Sequence, residues 1–210
     1  MPEATVSAEE GPVYFQIYAP DTFSWVGMGT GTGMANANIF VMYQDGNGNV
    51  TVSPRQASGH TMPTVPSSGG AEIELLGGSG VSDGWMVANF RCDNCESWKQ
   101  TQALNFTSET PMIGAWREGD PLDSDDVEAD IQVHTGNVRM FSFDLSTAQV
   151  DASGGNPFAG DNAVPEELNG GANDTNGGSG DDEGAAAGKS SFLAGSVAMA
   201  AVLVGFNLLL

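Results

Sequence analysis

The stretch WVGMGTGTGMANANIFVMY, Trp25 to Tyr43, places glycines at 27, 29, 31 and 33 between an aromatic start and a short apolar run. Trp25-Val26 begins an extended segment, the later glycines and Met34 make a loop, and Ile39 to Tyr43 reads as a buried strand. No register of the glycines gives GxGxxG. They lead into a strand and not into a helix whose N-terminus would hold a pyrophosphate, which removes the dinucleotide reading. The stretch therefore predicts two strands joined by a glycine loop, with Met34 as the side chain to account for.

Working outward, the same β signals recur. Val13 to Tyr18 is rich in β-branched and aromatic residues and is closed by Pro20-Asp21, a strand followed by a turn. Asp45-Gly46-Asn47-Gly48-Asn49 tolerates positive φ and suits a hairpin from Ile39–Tyr43 into Val50 to Ser53. Pro54, Gly59, Pro63 and Pro66 predict a loop after it. Glu72 and Glu74 alternate with Ile73 and Leu75, so one face would be wet and the other packed. Trp85 to Phe90 and Met112 to Trp116 are further strands. Ile131 to His134 and Val138 to Phe143 read as a last pair joined by Thr135-Gly136-Asn137. No part of the presumed core carries sustained helical periodicity. Many short strands between Gly/Pro/Asn turns predict an all-β chain, an antiparallel immunoglobulin-like β-sandwich.

The chain of 210 residues has room for one sizeable core, and the pattern divides it into three. Residues 1–150 are the sandwich. Residues 151–191, mostly Gly, Asn, Asp and Ala, have too little apolar content to order themselves and predict an acidic stalk. Residues 192–210, FLAGSVAMAAVLVGFNLLL, are apolar to the end and come after a small-residue, acidic spacer. That order is the pattern of a glycolipid (GPI) attachment signal, with a tail-anchored helix as the alternative. The start, MPEATVSAEE, has neither a positive n-region nor an apolar h-region. A glycolipid anchor requires the secretory pathway, so the expectation is a cell-surface protein whose signal peptide lies outside this sequence. The sequons at Asn49, Asn105 and Asn173 agree with that. With 6 basic and 27 acidic residues, a net charge of -21, the chain is unsuited to nucleic acid and suited to solubility or to cationic partners.

Metalloprotease, esterase and P-loop motifs are absent: the sequence has no HExxH, no GxSxG and no GxxxxGK[ST]. Cys92-Asp93-Asn94-Cys95 is the only cysteine pair. In a secreted protein it reads first as a structural disulfide, with half a zinc site or a redox CxxC as alternatives. The next residue is Glu96, so it is not the CxxCH of covalent haem attachment. There are two histidines, His60 in a Gly/Pro-rich loop and His134 in IQVHTGN. A methionine thioether and an imidazole form the axial pair of electron-transfer haems, leaving no open position for oxygen or substrate. Met34 and His134 are the candidates, and glycines at 29, 31 and 33 would let backbone approach a flat macrocycle. The competing reading makes Met34 core filling and His134 an ordinary hydrogen-bonded residue.

A set of segments in order adds to this. Trp25-Val26-Gly27 with Gly33-Met34, Ser53-Pro54-Arg55 with Gly59-His60 and Pro63, Arg91-Cys92 with Cys95-Glu96-Ser97-Trp98, and His134 before Phe141-Ser142-Phe143-Asp144 together resemble the haem-binding cytochrome domain of fungal cellobiose dehydrogenase and related DOMON-type iron reductase domains. The resemblance runs from about Gly11 to Leu145. It implies a non-covalent haem b with Met34 and His134 as axial ligands of the iron, Gly33 beside it, His60 at the haem edge, and a Cys92–Cys95 disulfide. It also implies a single-electron carrier, without the flavin dehydrogenase domain, fed by an external donor such as a flavin dehydrogenase. The acceptor implied is ferric iron or a copper-dependent polysaccharide oxygenase. Strand material that the family has before the residue matching Pro2 is missing, which predicts an unpaired sheet edge. The alternative function is a haem-free carbohydrate-binding module, with Trp25, Trp85, Trp98 and Trp116 as stacking residues.

Overall fold

The computed structural model describes residues 12–95, 103–136, 138–151, 155–159 and 199–206. The strands are β1 (Val13–Pro20), β2 (Phe23–Thr30), β3 (Asn38–Gln44), β4 (Val50–Gln56), β5 (Ile73–Leu75), β6 (Gly80–Ser82), β7 (Trp85–Cys92), β8 (Glu109–Glu118), β9 (Val138–Asp144), β10 (Gln149–Asp151) and β11 (Met199–Phe206). They form two sheets, β10-β11-β1-β7-β5 with β6 also on β7, and β4-β3-β2-β8-β9. Every pairing is antiparallel except the short parallel contact of β10 with β11. The described residues are thus an all-β, sandwich-like fold, as the turn-rich strand pattern predicts. No helix among them is long and apolar enough to cross a membrane.

The two sheets enclose one apolar layer. Alternation along β1 and β7 sends Val13, Phe15, Ile17, Met86, Ala88 and Phe90 into it, where they meet Val26, Met28, Phe40, Met42, Met112 and Trp116 of the second sheet. Phe40 crosses the gap to touch both Phe15 and Phe90, with ring centroids 4.9 and 4.8 Å apart. The second sheet has another buried face. Trp25, Ile39, Val41 and Tyr43 point away from the sandwich interior into a separate cluster with Ala37 and Ala57. A strand buried on both sides needs apolar residues at every position. That is why Ile39 to Tyr43 reads as an unbroken run.

Three local expectations change. Pro54 does not end its strand: β4 continues to Gln56, with Pro54 opposite Phe40. β4 is the edge of its sheet, where the amide that proline lacks has no ladder partner to lose. Ile131 to His134 is not a strand and does not form a hairpin with Val138 to Phe143. Instead β9 pairs with β8, Met140 opposite Ile113, and residues 119–136 cross the outer face of the second sheet as a strap. In β5, Leu75 is exposed although Ile73 packs on the core. Beside β1 in the first sheet lies β11, with Val13 opposite Val204.

Within the stretch expected as a stalk, residues 155–159 are described. Phe158 is buried, and the Asn156 side chain donates to the Gly77 carbonyl at 2.9 Å. Residues 160–198 lie outside the described residues, Asn173 among them, as does Trp98.

Candidate functional site

The outer face of the second sheet carries an apolar cavity of about 660 Å³. Its floor is β2, β3 and β8. On β2 the alternation places Trp25, Gly27 and Gly29 on this face, while Val26 and Met28 go to the sandwich interior. So two of the four glycines lie in a strand and not in the loop. A Cβ at Gly29 would sit 2.9 Å from Ile39 Cγ1 and 3.1 Å from Ile113 Cγ1, so its absence is what allows those neighbouring side chains to close in. Gly31 has φ +93°, a left-handed turn residue, and its amide donates to the Pro111 carbonyl at 2.7 Å. Gly33 lines the cavity, and a Cβ there would meet nothing within 4 Å.

Two loops and the strap make the walls. The loop after β2 brings Met34, which is half-buried against the Trp25 and Ile39 cluster. It is tied to the end of β4 by the Asn36 amide to the Ala57 carbonyl at 2.8 Å and the Ala57 amide to the Ala37 carbonyl at 3.0 Å. The loop after β4 brings His60, exposed at the cavity mouth, and is closed by the bridge of Gln56 with Thr64. The strap brings His134.

The strap has no strand pairing. It is held by side chains that capture its carbonyls one after another. Thr51 Oγ1 donates to Ser124 O at 2.7 Å and Tyr43 Oη to Asp126 O at 2.6 Å. Ser53 Oγ donates to Val127 O, and Arg55 Nη2 donates to Val127 O at 3.2 Å and Ala129 O at 2.7 Å. Trp25 Nε1 donates to Gln132 O at 3.0 Å and Arg117 Nη1 to Val133 O at 2.7 Å. Burial pushes the Tyr43 phenol above its ordinary pKa, against an opposing pull from the Arg55 charge.

Met34, His60, Gly33 and His134 therefore all line one cavity, although Met34 and His134 lie a hundred positions apart. The residues fit a haem. No carboxylate lines the cavity, and its walls are mostly aliphatic or glycine. His134 Nδ1 is buried without a hydrogen-bond partner, which leaves an imidazole nitrogen in apolar surroundings unsatisfied. At the rim Val133 and Met140 are 74% and 75% exposed, apolar surface that a flat apolar ligand would cover. Among the described residues there is no group of three or more His, Cys, Asp or Glu that would bind a bare metal ion. A thioether and an imidazole are instead a set for a metal already held by a macrocycle.

Several residues of the site carry no signal in the sequence. Arg55 enters only as part of a matching segment, and Met62 and Met140, which also line the cavity, have no distinguishing spacing. Among the described tryptophans none is an exposed stacking platform. Trp25 and Trp116 are buried, and Trp85 is half-buried with its edge to Tyr18. Cys92 and Cys95 form a disulfide in the main core, as their first reading has it, and not half a zinc site. Asn49 and Asn105 are exposed.

Two solved structures share this fold. The cytochrome b domain of pyranose dehydrogenase from Coprinopsis cinerea matches with a TM-score of 0.57 and 23% identity, over 64% of this chain and 68% of that one. The cytochrome domain of Myriococcum thermophilum cellobiose dehydrogenase matches with a TM-score of 0.53 and 22% identity, over 64% and 67%. Cytochrome domains of these two kinds bind haem b. The family model for the cytochrome domain of cellobiose dehydrogenase matches residues 1–152, and the chain belongs to that family.

Proposed function

We propose that this protein is a b-type cytochrome that carries single electrons, with Met34 and His134 as the axial ligands of a non-covalent haem b. The observation that carries the reading is the meeting of these two side chains, from distant parts of the chain, at one cavity with apolar walls and no carboxylate. The haem supplies a one-electron couple between ferric and ferrous iron. The protein's part is to bind and orient it. Gly33 leaves room beside Met34, Trp25 and Ile39 exclude water beneath, and the strap fixes the position of His134. Two protein ligands leave no open coordination position, so the site transfers electrons and does not activate a bound molecule.

As donor we propose a flavin dehydrogenase, and as acceptor ferric iron or a copper-dependent polysaccharide oxygenase, the partners that the resemblance implies. The net charge of -21 suits a cationic acceptor surface. The C-terminal pattern and the exposed Asn49 and Asn105 support a glycolipid-anchored glycoprotein at the cell surface; attachment would release residues 192–210, so β11 would belong to the precursor and not to the anchored protein.

The test is the absorption spectrum of the full secreted chain. The ferrous α-band is expected in the native protein and is lost in Met34→Ala and in His134→Ala; an intact band in both variants removes the ligand assignment. A colourless native protein retained on cellulose or xylan would support carbohydrate binding instead.

A further inference from the structure

We infer that Arg55 is the positioning residue of the cavity, a single guanidinium that fastens the strap carrying His134 to the loop carrying His60. Its side chain is 1% exposed, among the largest fully buried groups of the protein. Nε donates to Ser53 Oγ at 2.8 Å, Nη1 to Pro63 O at 3.3 Å, and Nη2 to Val127 O and Ala129 O. Among the described residues no carboxylate forms an ion pair with it, and both salt bridges there belong to Arg91. A buried charge satisfied only by neutral oxygens is expensive to maintain. Its bonds are distributed in a way that serves the cavity: one arm reaches the 57–66 loop and the other reaches the strap seven and five residues before His134. The planar fork of arginine is the side chain that spans two such targets at fixed angles. A lysine ammonium, a point donor, does not.

The other strap bonds act singly. Tyr43, Thr51, Trp25 and Arg117 each donate to one carbonyl of the strap, and none of these bonds reaches the opposite wall. Arg55 joins both walls, so the separation of His134 from the His60 loop depends on it. This role rests on the proposed haem site.

The experiment compares native protein, Arg55→Lys and Arg55→Met, all as full chains, by haem loss to excess apomyoglobin and by ferrous and ferric spectra. Far-UV circular dichroism and thermal unfolding of the haem-free forms check the fold. Outer-shell partners of metal ligands are typically worth about 10- to 100-fold in affinity, and both variants are expected to release haem about tenfold faster or more. Part of their population should show a high-spin spectrum, because His134 is no longer held. Arg55→Lys should keep native circular dichroism. Haem loss within twofold of native together with an unchanged spectrum in the folded variants overturns the inference, even if thermal stability falls. Failure of both variants to fold also overturns it, because the guanidinium then serves the whole fold and not the cavity. A native protein that binds no haem refutes the haem site itself, a result distinct from either.

Discussion

His134 stands edge-on to Trp25, with ring centroids 6.4 Å apart and planes at 75°. The same indole holds the Gln132 carbonyl, two residues before the histidine, at 3.0 Å. One tryptophan thus packs against the imidazole and anchors the backbone that carries it. Trp25→Phe keeps a ring on the cavity floor and removes the N–H. A buried neutral hydrogen bond is worth about 1 kcal/mol, and a loss of that size is expected in urea unfolding. Haem dissociation, followed by the Soret band, should accelerate more than that stability loss alone accounts for, because the imidazole is freer to turn.

Gly29 and Gly33 should respond differently to the same methyl group. Gly29→Ala drives a Cβ into Ile39 and Ile113, and overpacking of this kind costs about 1–3 kcal/mol. Gly33→Ala meets open space, so the haem-free protein should keep its stability to within about 0.5 kcal/mol. The haem-loaded Gly33→Ala protein should bind its ligand more weakly, measured by haemin titration. Equal effects of the two variants on the haem-free fold would contradict the geometry.

The Cys92–Cys95 disulfide, at a sequence separation of 3, closes a very short loop in the sheet that does not carry the cavity. Loop-closure entropy for so few residues gives about 2 kcal/mol. The double substitution Cys92→Ala with Cys95→Ala is expected to lower unfolding free energy by about that amount and leave the haem spectrum unchanged. A shifted spectrum would place the bridge in the redox site, against its position.

Alkaline pH should weaken the fold through tyrosine. Burial raises the pKa of Tyr18 and Tyr43 above the ordinary 10.0. The neutral phenol is the form the fold favours, so this stabilisation is complete below pH 10 and is lost as pH rises through the folded-state values. Thermal unfolding should therefore show a falling midpoint only above pH 10. Tyr43→Phe should lessen that slope while lowering stability at neutral pH, since the bond to the Asp126 carbonyl is gone.

Much of the fold is legible locally. The aromatic and β-branched runs at Val13–Tyr18 and Trp85–Phe90, and the Asp45 to Asn49 turn, each depend on neighbours within a few positions, and period-two alternation arises from strand geometry alone. The choice of Met34 and His134 is also available there, because two histidines leave few alternatives and the matching segments occur in order.

What tertiary structure decided is pairing and capture across long separations. Nothing near Val138 announces that β9 joins β8 and not residues 131–134. The strap, of which only residues 131–134 read as a strand, takes its course from Trp25, Tyr43, Ser53 and Arg55, whose bonds to it reach across 72 to 107 positions. A side chain that donates to a distant carbonyl leaves no periodicity behind, since the carbonyl is the same in every residue. So the sequence by itself determined most of the long strands, the cysteine pair and the two candidate ligands. Only the folded chain brought Met34, His60 and His134 to one cavity and placed Arg55 between its walls.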